Sequence, residues 1–186
     1  MKFIVQIFLS FPLVAFNQDI YIPDTSVNGV SLMYGKSFDK KFSEYNLPDY
    51  YEADHPPKLE FINADKTQKF TVFHCYGSGK NDICTFRIEY RKKSDSIPFY
   101  GVKINDKNFK TDRGIQLGIT LETFKIKIGT TNYKSQTRKG VTKITIDLND
   151  FKNDKFLQAY NMPTYLAEYY FKNGRLIIFE FGFPNP

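Results

Sequence analysis

The chain has 186 residues, 41% hydrophobic and 25% charged, enough for one good core or two small domains sharing one. Its 19 Phe and 13 Tyr, with no Trp, lean toward pleated sheet. The net charge is +6, but the lysines are dispersed among Asp, Glu and Asn, and the Arg91-Lys92-Lys93 run reads as a solvated strand end. That pattern does not favour nucleic acid as a partner.

The first residues read as a signal peptide over residues 1–18. Lys2 supplies the positive start, and Phe3 to Phe16 is apolar apart from Gln6, Ser10 and Pro12. The run is too short to span a bilayer comfortably. The only small residue near its end is Ala15, so the cleavage point lies somewhere between Ala15 and Asp19. No Cys follows that would carry a lipid. No later segment approaches the length of a transmembrane helix, which leaves peripheral association with an envelope as the closest membrane contact. The expected address is exported, periplasmic or secreted.

Two similar stretches then follow, predicted as tandem α+β repeats over residues 19–106 and 107–186. In the first, Gly29-Val30-Ser31-Leu32 and Gly35 precede Ser37, a good N-cap, and a helix over 38–45 that ends at Asn46 before Pro48. Phe38, Phe42 and Tyr45 make one apolar stripe. The stretch 46–57 reads as a loop. Strands are expected at 59–63, 70–76, 83–89 and 98–105.

Cys75 and Cys84 flank a turn expected at Gly79-Lys80. In that register they face each other as a non-hydrogen-bonded pair, whose Cα atoms lie about 4.5 Å apart, just inside disulfide range. A bridge closing roughly ten residues stabilises by about 2.7 kcal/mol in the chain-entropy account. Two free buried thiols are the alternative. A metal site with His74 lacks a fourth ligand at any standard spacing. The same register puts Thr71, Phe73 and Cys75 on the core face with Cys84, Phe86 and Ile88. It leaves Phe70, His74, Tyr76 and Arg87 on the opposite face as candidates for contact with a partner protein, since Tyr and Arg concentrate at recognition surfaces.

In the second stretch, Gly114-Ile115-Gln116-Leu117-Gly118-Ile119-Thr120 matches the first, with Gly35 falling on Gly118 and Ser37 on Thr120. A helix over 121–128 closed by Gly129 should follow, then strands at 131–136 and 142–148. Loops are expected from Asn149 to Thr164, which includes about eleven residues the first stretch lacks. Asp147, Asp150 and Asp154 have neither the spacing nor the terminal Glu of a calcium loop and read as loop caps. Asn173-Gly174, the strongest turn signal in the chain, joins 165–171 to 176–181. An uninterrupted register there pairs Tyr169 with Ile178 and puts Glu168 and Glu180 on opposite faces, which argues against a carboxylate dyad.

The repeated Gly-apolar-x-Leu pattern with Gly, Ser/Thr and a short helix resembles the helix-plus-sheet units of the β-lactamase inhibitor protein family and of the outer-membrane assembly lipoproteins of the BamE type. It rests on Gly114 to Thr120 with Gly129, and on Gly29–Leu32, Gly35 and Ser37, covering the two helix starts. The chain departs from the lipoproteins in lacking their lipid-bearing Cys, and from the inhibitors in having one candidate disulfide rather than one per unit. A closer likeness is to uncharacterised exported bacterial proteins rich in Lys, Asn and Phe, which implies no activity.

The two histidines, His55 and His74, belong to no metalloprotease motif, and no nucleophile elbow, phosphate loop or dinucleotide fingerprint occurs. No cofactor, metal or catalytic residue is expected. The reading is an exported, non-enzymatic binding or protein-interaction protein of unknown partner. An envelope hydrolase of unfamiliar type, using His74 or His55 beside a carboxylate, is the alternative.

Overall fold

The computed structural model describes residues 22–45, 58–75, 82–92, 101–129 and 132–184. The expected leader over 1–18, Asn46, His55, Tyr76 and the expected turn at Gly79-Lys80 lie outside the described residues.

Alternating apolar side chains in the long strands require a sheet with one buried face, and the chain builds one of eight strands. A two-stranded ribbon, β1 (Ser26–Val27) and β2 (Val30–Ser31), precedes α1 (Gly35–Phe42). Then come β3 (Lys58–Ile62), β4 (Gln68–His74), β5 (Ile83–Tyr90) and β6 (Gly101–Lys103). After α2 (Leu121–Ile128) the chain forms β7 (Lys134–Arg138), β8 (Val141–Leu148), α3 (Lys155–Tyr160), β9 (Tyr165–Lys172) and β10 (Arg175–Gly182). The order across the sheet is β6-β3-β4-β5-β10-β9-β8-β7. Every neighbouring pair is antiparallel except β3 and β6, which run parallel. The fold is therefore sheet-dominated α+β, and the pairing of β5 with β10 makes the sheet continuous.

All three helices lie on one face. Phe42 of α1 stacks on Phe61 of β3 with ring centroids 4.0 Å apart. Phe124 of α2 lies 4.5 Å from Tyr169 and 5.2 Å from Phe171 of β9. Phe156 of α3 meets Tyr165 edge-on at 5.3 Å. Between them Phe70, Phe86 and Phe181 form a contiguous aromatic row across β4, β5 and β10. Each fully buried Phe contributes about 1.5–3 kcal/mol through burial alone.

The helix ends follow capping chemistry unevenly. Thr120 caps α2 as expected, accepting from the Thr123 N–H, and Gly129 follows the last turn at φ 65°. Ser37 does not cap α1, which begins two residues earlier after Tyr34. Its hydroxyl instead donates to the Tyr34 carbonyl and accepts from the Ser31 N–H, pinning the helix start to β2. The stretch expected to be loop throughout contains α3. Asp154 caps it by accepting from the N–H groups of Phe156 and Leu157, and Asn161 closes it in the left-handed conformation. β7 begins three residues later than expected and pairs with β8 through a tight turn at Lys139-Gly140, both at positive φ.

Two bulges correct the expected registers. In β4–β5 the pairing is Val72 with Phe86 and Phe73 with Thr85, then His74 with Ile83, so Cys84 is the extra residue. Cys75 and Cys84 are nonetheless joined as a disulfide, with Cα atoms 5.1 Å apart. The one-residue difference turns every side chain of β4 over. Phe70, Val72 and His74 go into the core, and Thr71 and Phe73 to the other face. The physical reason is that this choice buries Phe70 and Val72 opposite Ile88 and Phe86, where the expected one buried Thr71. In β9–β10, Ile177 is the extra residue, and beyond it Tyr169 pairs with Phe179 rather than Ile178.

Gly182 occupies the tightest point between β10 and β5. At φ 148° it lies where an added Cβ would come within 2.7 Å of Thr85 Cα and closer still to the Cys84 carbonyl oxygen. Gly182→Ala is expected to cost about 2–3 kcal/mol in urea unfolding. Gly140→Ala, at φ 74° in open space, should cost only the left-handed penalty of about 1–2 kcal/mol.

Candidate functional site

The sheet face away from the helices carries the polar half of each strand. One straight row crosses all eight strands: Gly101, Glu60, Thr71, Arg87, Glu180, Glu168, Thr145 and Lys134. The next row runs Lys103, Ile62, Lys69, Glu89, Ile178, Tyr170, Lys143 and Gln136. Strand alternation thus assembles opposite charges from all eight strands on one surface.

The charges are joined into a ladder. Lys69 Nζ lies 3.2 Å from Glu60 and 3.0 Å from Glu89. Arg87 reaches Glu89 at 3.2 Å and Glu180 at 2.9 Å. Lys143 holds Glu168 at 2.5 Å, and the Tyr170 hydroxyl donates to the same carboxylate. Lys143 also stands over the Tyr170 ring, 5.5 Å from its centre.

The Ile177 bulge brings Glu168 and Glu180 directly opposite one another on this face, which overturns the expectation that they point apart. Two like charges in that position are unfavourable by themselves, and Lys143 on one side and Arg87 on the other offset the repulsion. Burial raises the Glu168 carboxyl, but the hydrogen bonds from Lys143 and Tyr170 outweigh it and hold it below its ordinary value. For Glu89, burial is likewise outweighed by Lys69 and Arg87, and its carboxyl is also held low. The cavity beside the pair, walled by Thr85, Leu166, Gly182 and Pro184, measures about 30 Å³. That is the volume of about one water.

The residues singled out from the sequence separate. Arg87 is at the centre of the charged face. Phe70 and His74 are 1% exposed in the core, and the His74 ring meets Phe38 edge-on at 5.7 Å. They are on the wrong side of the sheet for a partner because of the register change in β4. The residues that sequence reasoning missed are Lys69, Lys143 and Tyr170, while it weighs Glu168 and Glu180 as a pair and sets them apart. Their signal was the i, i+2 spacing of Arg87 with Glu89 and of Glu168 with Tyr170. Among the described residues, no three His, Cys, Asp or Glu side chains converge as metal ligands, and no helix is long and apolar enough to cross a membrane.

A second electrostatic feature lies on the helix side. Asp24 is fully buried, its carboxylate accepting from the Tyr169 hydroxyl at 3.2 Å and its carbonyl from the Tyr165 hydroxyl at 2.9 Å. Burial pushes its carboxyl up to about 6, against the Thr111 hydroxyl, which lowers it; Asp112 raises it further and Arg113 opposes.

Comparison with protein-family models, characterised proteins and solved structures finds no match to this chain.

The two features have opposite pH signs. Lowered Glu89 and Glu168 contribute stability that is present above their ordinary values and lost as pH falls through the lowered ones. Arg87→Met should lower stability at pH 7 by about 1–2 kcal/mol, between the values for exposed and buried pairs. Denaturant midpoints should show that deficit vanishing near pH ~2, where carboxylates are neutral. Asp24 is raised, so the folded state holds its proton longer than the unfolded chain. Its contribution is largest below 3.8 and declines until about 6, a loss of about 3 kcal/mol. Asp24→Asn should flatten that slope, as read by urea titrations across the interval.

Proposed function

We propose that this is an exported, non-enzymatic interaction protein that recognises a partner protein with the helix-free face of its sheet. The observation that carries the reading is the segregation of the sheet. The three helices pack on one face through aromatic residues, while the other presents Arg87, Tyr170 and a row of Lys and Glu, without a helix against it among the described residues. Arg and Tyr on a rigid, flat support lose little freedom on binding and recur at interface centres. The grooves support a binding role better than a chemical one. The cavity at Glu168 and Glu180 has room for a water but not a substrate. The wider groove of about 550 Å³ beside α1 and α3 is lined by Ser31, Leu32, Met33, Tyr34, Ala159 and Tyr160, which include no carboxylate, imidazole, amine or thiol.

Export is supported by the apolar run 3–16 after Lys2 and by the Cys75–Cys84 pair, since such bridges persist in oxidising compartments. The tandem-repeat reading belongs here too. Each half contributes antiparallel neighbours in chain order, β3-β4-β5 in the first and β7-β8-β9-β10 in the second, and β5 and β10 pair antiparallel at the middle of the sheet, while β6 adds a parallel strand to the first half alone. That arrangement is what duplication of a helix-plus-strands unit would produce.

The test is affinity capture from the native exported fraction with the tagged, secreted chain. A discrete protein should be retained by the natural sequence and by Lys125→Glu on the exposed side of α2. It should be lost from a chain carrying Thr145→Arg and Ile178→Arg on the helix-free face. Capture unaffected by the paired substitutions would exclude that face. A hydrolytic activity abolished by Glu168→Gln would exclude the non-enzymatic reading.

A further inference from the structure

The edge strand β7 is unlike the other strands. Its sequence is Lys-Ser-Gln-Thr-Arg, every residue is exposed, and among the described residues its one neighbouring strand is β8. In an antiparallel pair alternate residues direct their N–H and C=O groups away from the partner strand, so the outer side of β7 offers main-chain donors and acceptors. The other edge, β6, spans only three residues.

The charge along this edge has one sign. Lys134 and Arg138 share a face four residues apart, with Gln136 between them, and Lys139 follows in the turn. Lys134 is 84% exposed and touches Asp147 only at 3.9 Å. Among the described residues, Arg138 and Lys139 take part in no ion pair. Register extends the field inward: Arg138 pairs with Val141, Val141 with Lys172, and Lys172 with Arg175. At the usual strand spacing that places four exposed cations, with Lys139, within ~14 Å of the edge.

We propose that β7 accepts an extended, acidic polypeptide segment as an added ninth strand. The inference rests on the interaction reading above and names the chemistry of the partner. A strand laid along β7 would gain main-chain hydrogen bonds from the open edge. Acidic side chains at positions i and i+4 on its sheet-face side would stand beside Lys134 and Arg138. Lys172 and Arg175 are too far to touch it and act by steering its approach. Lys and Arg on an edge also discourage pairing between like edges, so a second copy, presenting the same cations, is rejected by the feature that attracts an acidic strand.

Fluorescence anisotropy with the full secreted chain tests this. The probe is a labelled octapeptide of alternating Val and Thr with Glu at two positions four apart. Binding is expected in the range of tens of micromolar at low salt. It should weaken at least tenfold when the peptide carries Lys in place of Glu, or Pro at its centre. Lys134→Glu with Arg138→Glu should weaken it to the same extent while leaving the unfolding midpoint within a few degrees. Amide resonances of Ser135 and Thr137 should shift on binding. Equal affinity for the Pro peptide, or for polyglutamate, would mean charge alone is sensed and would overturn strand addition. Binding only to phosphatidylglycerol vesicles would overturn it in favour of a lipid surface. If the peptide is ignored while Thr145→Arg with Ile178→Arg still abolishes partner capture, strand addition falls and the interaction reading stands.

Discussion

The pairing of β5 with β10 is the contact on which the rest depends. It unites strands almost a hundred residues apart in the chain and places Phe86 against Phe181 and Arg87 against Glu180 in the same few residues. One side of that pairing is the centre of the aromatic core, and the other is the centre of the charged ladder. Gly182 sets how closely the two strands approach, and Phe183 continues the contact by donating its N–H to the Cys84 carbonyl at 2.8 Å.

The two faces are stabilised differently. The helix side relies on burial of Phe and Tyr, a driving force that involves no charge. The ladder consists of half-buried pairs, in which Lys69, Arg87 and Glu89 each have two neighbours of opposite sign. Such a network contributes less per pair than the core does per ring, but it gives this face of the sheet half-exposed charge in place of an apolar patch. Alternation makes both possible in a single layer, since each strand supplies both faces.

How much of this could be read beforehand depended on whether the signal was local. Thr120, Glu122 and Gly129 specify α2 without reference to anything else, and Asn173-Gly174 specifies its turn. The strands of the long hairpins were legible from their Phe and Tyr content, and the proximity of Cys75 to Cys84 from a plausible turn. The faces were not legible, because a bulge moves one residue and inverts every side chain beyond it. Cys84 and Ile177 occupy those positions, and neither is a Gly or another residue type that advertises a bulge. From that one kind of error came the misplacement of Phe70 and His74 and the failure to see Glu168 facing Glu180. α3 was missed for a different reason: Asp154, Asn161 and Pro163 are capping and stop signals, but at six residues the helix between them is too short to show a periodicity.

The anchoring of Asp24 has a bearing on how the chain is made. The first described residues are tied to the middle of the chain and to its last quarter: Val27 pairs with Thr111, and Asp24 meets Tyr165 and Tyr169. During synthesis Asp24 therefore completes its set of partners only when β9 is made, after Thr111 and Arg113 are already present. Until β10 follows, the sheet lacks the strand that pairs with β5. A nascent chain built this way completes its sheet only when nearly all of it has been made.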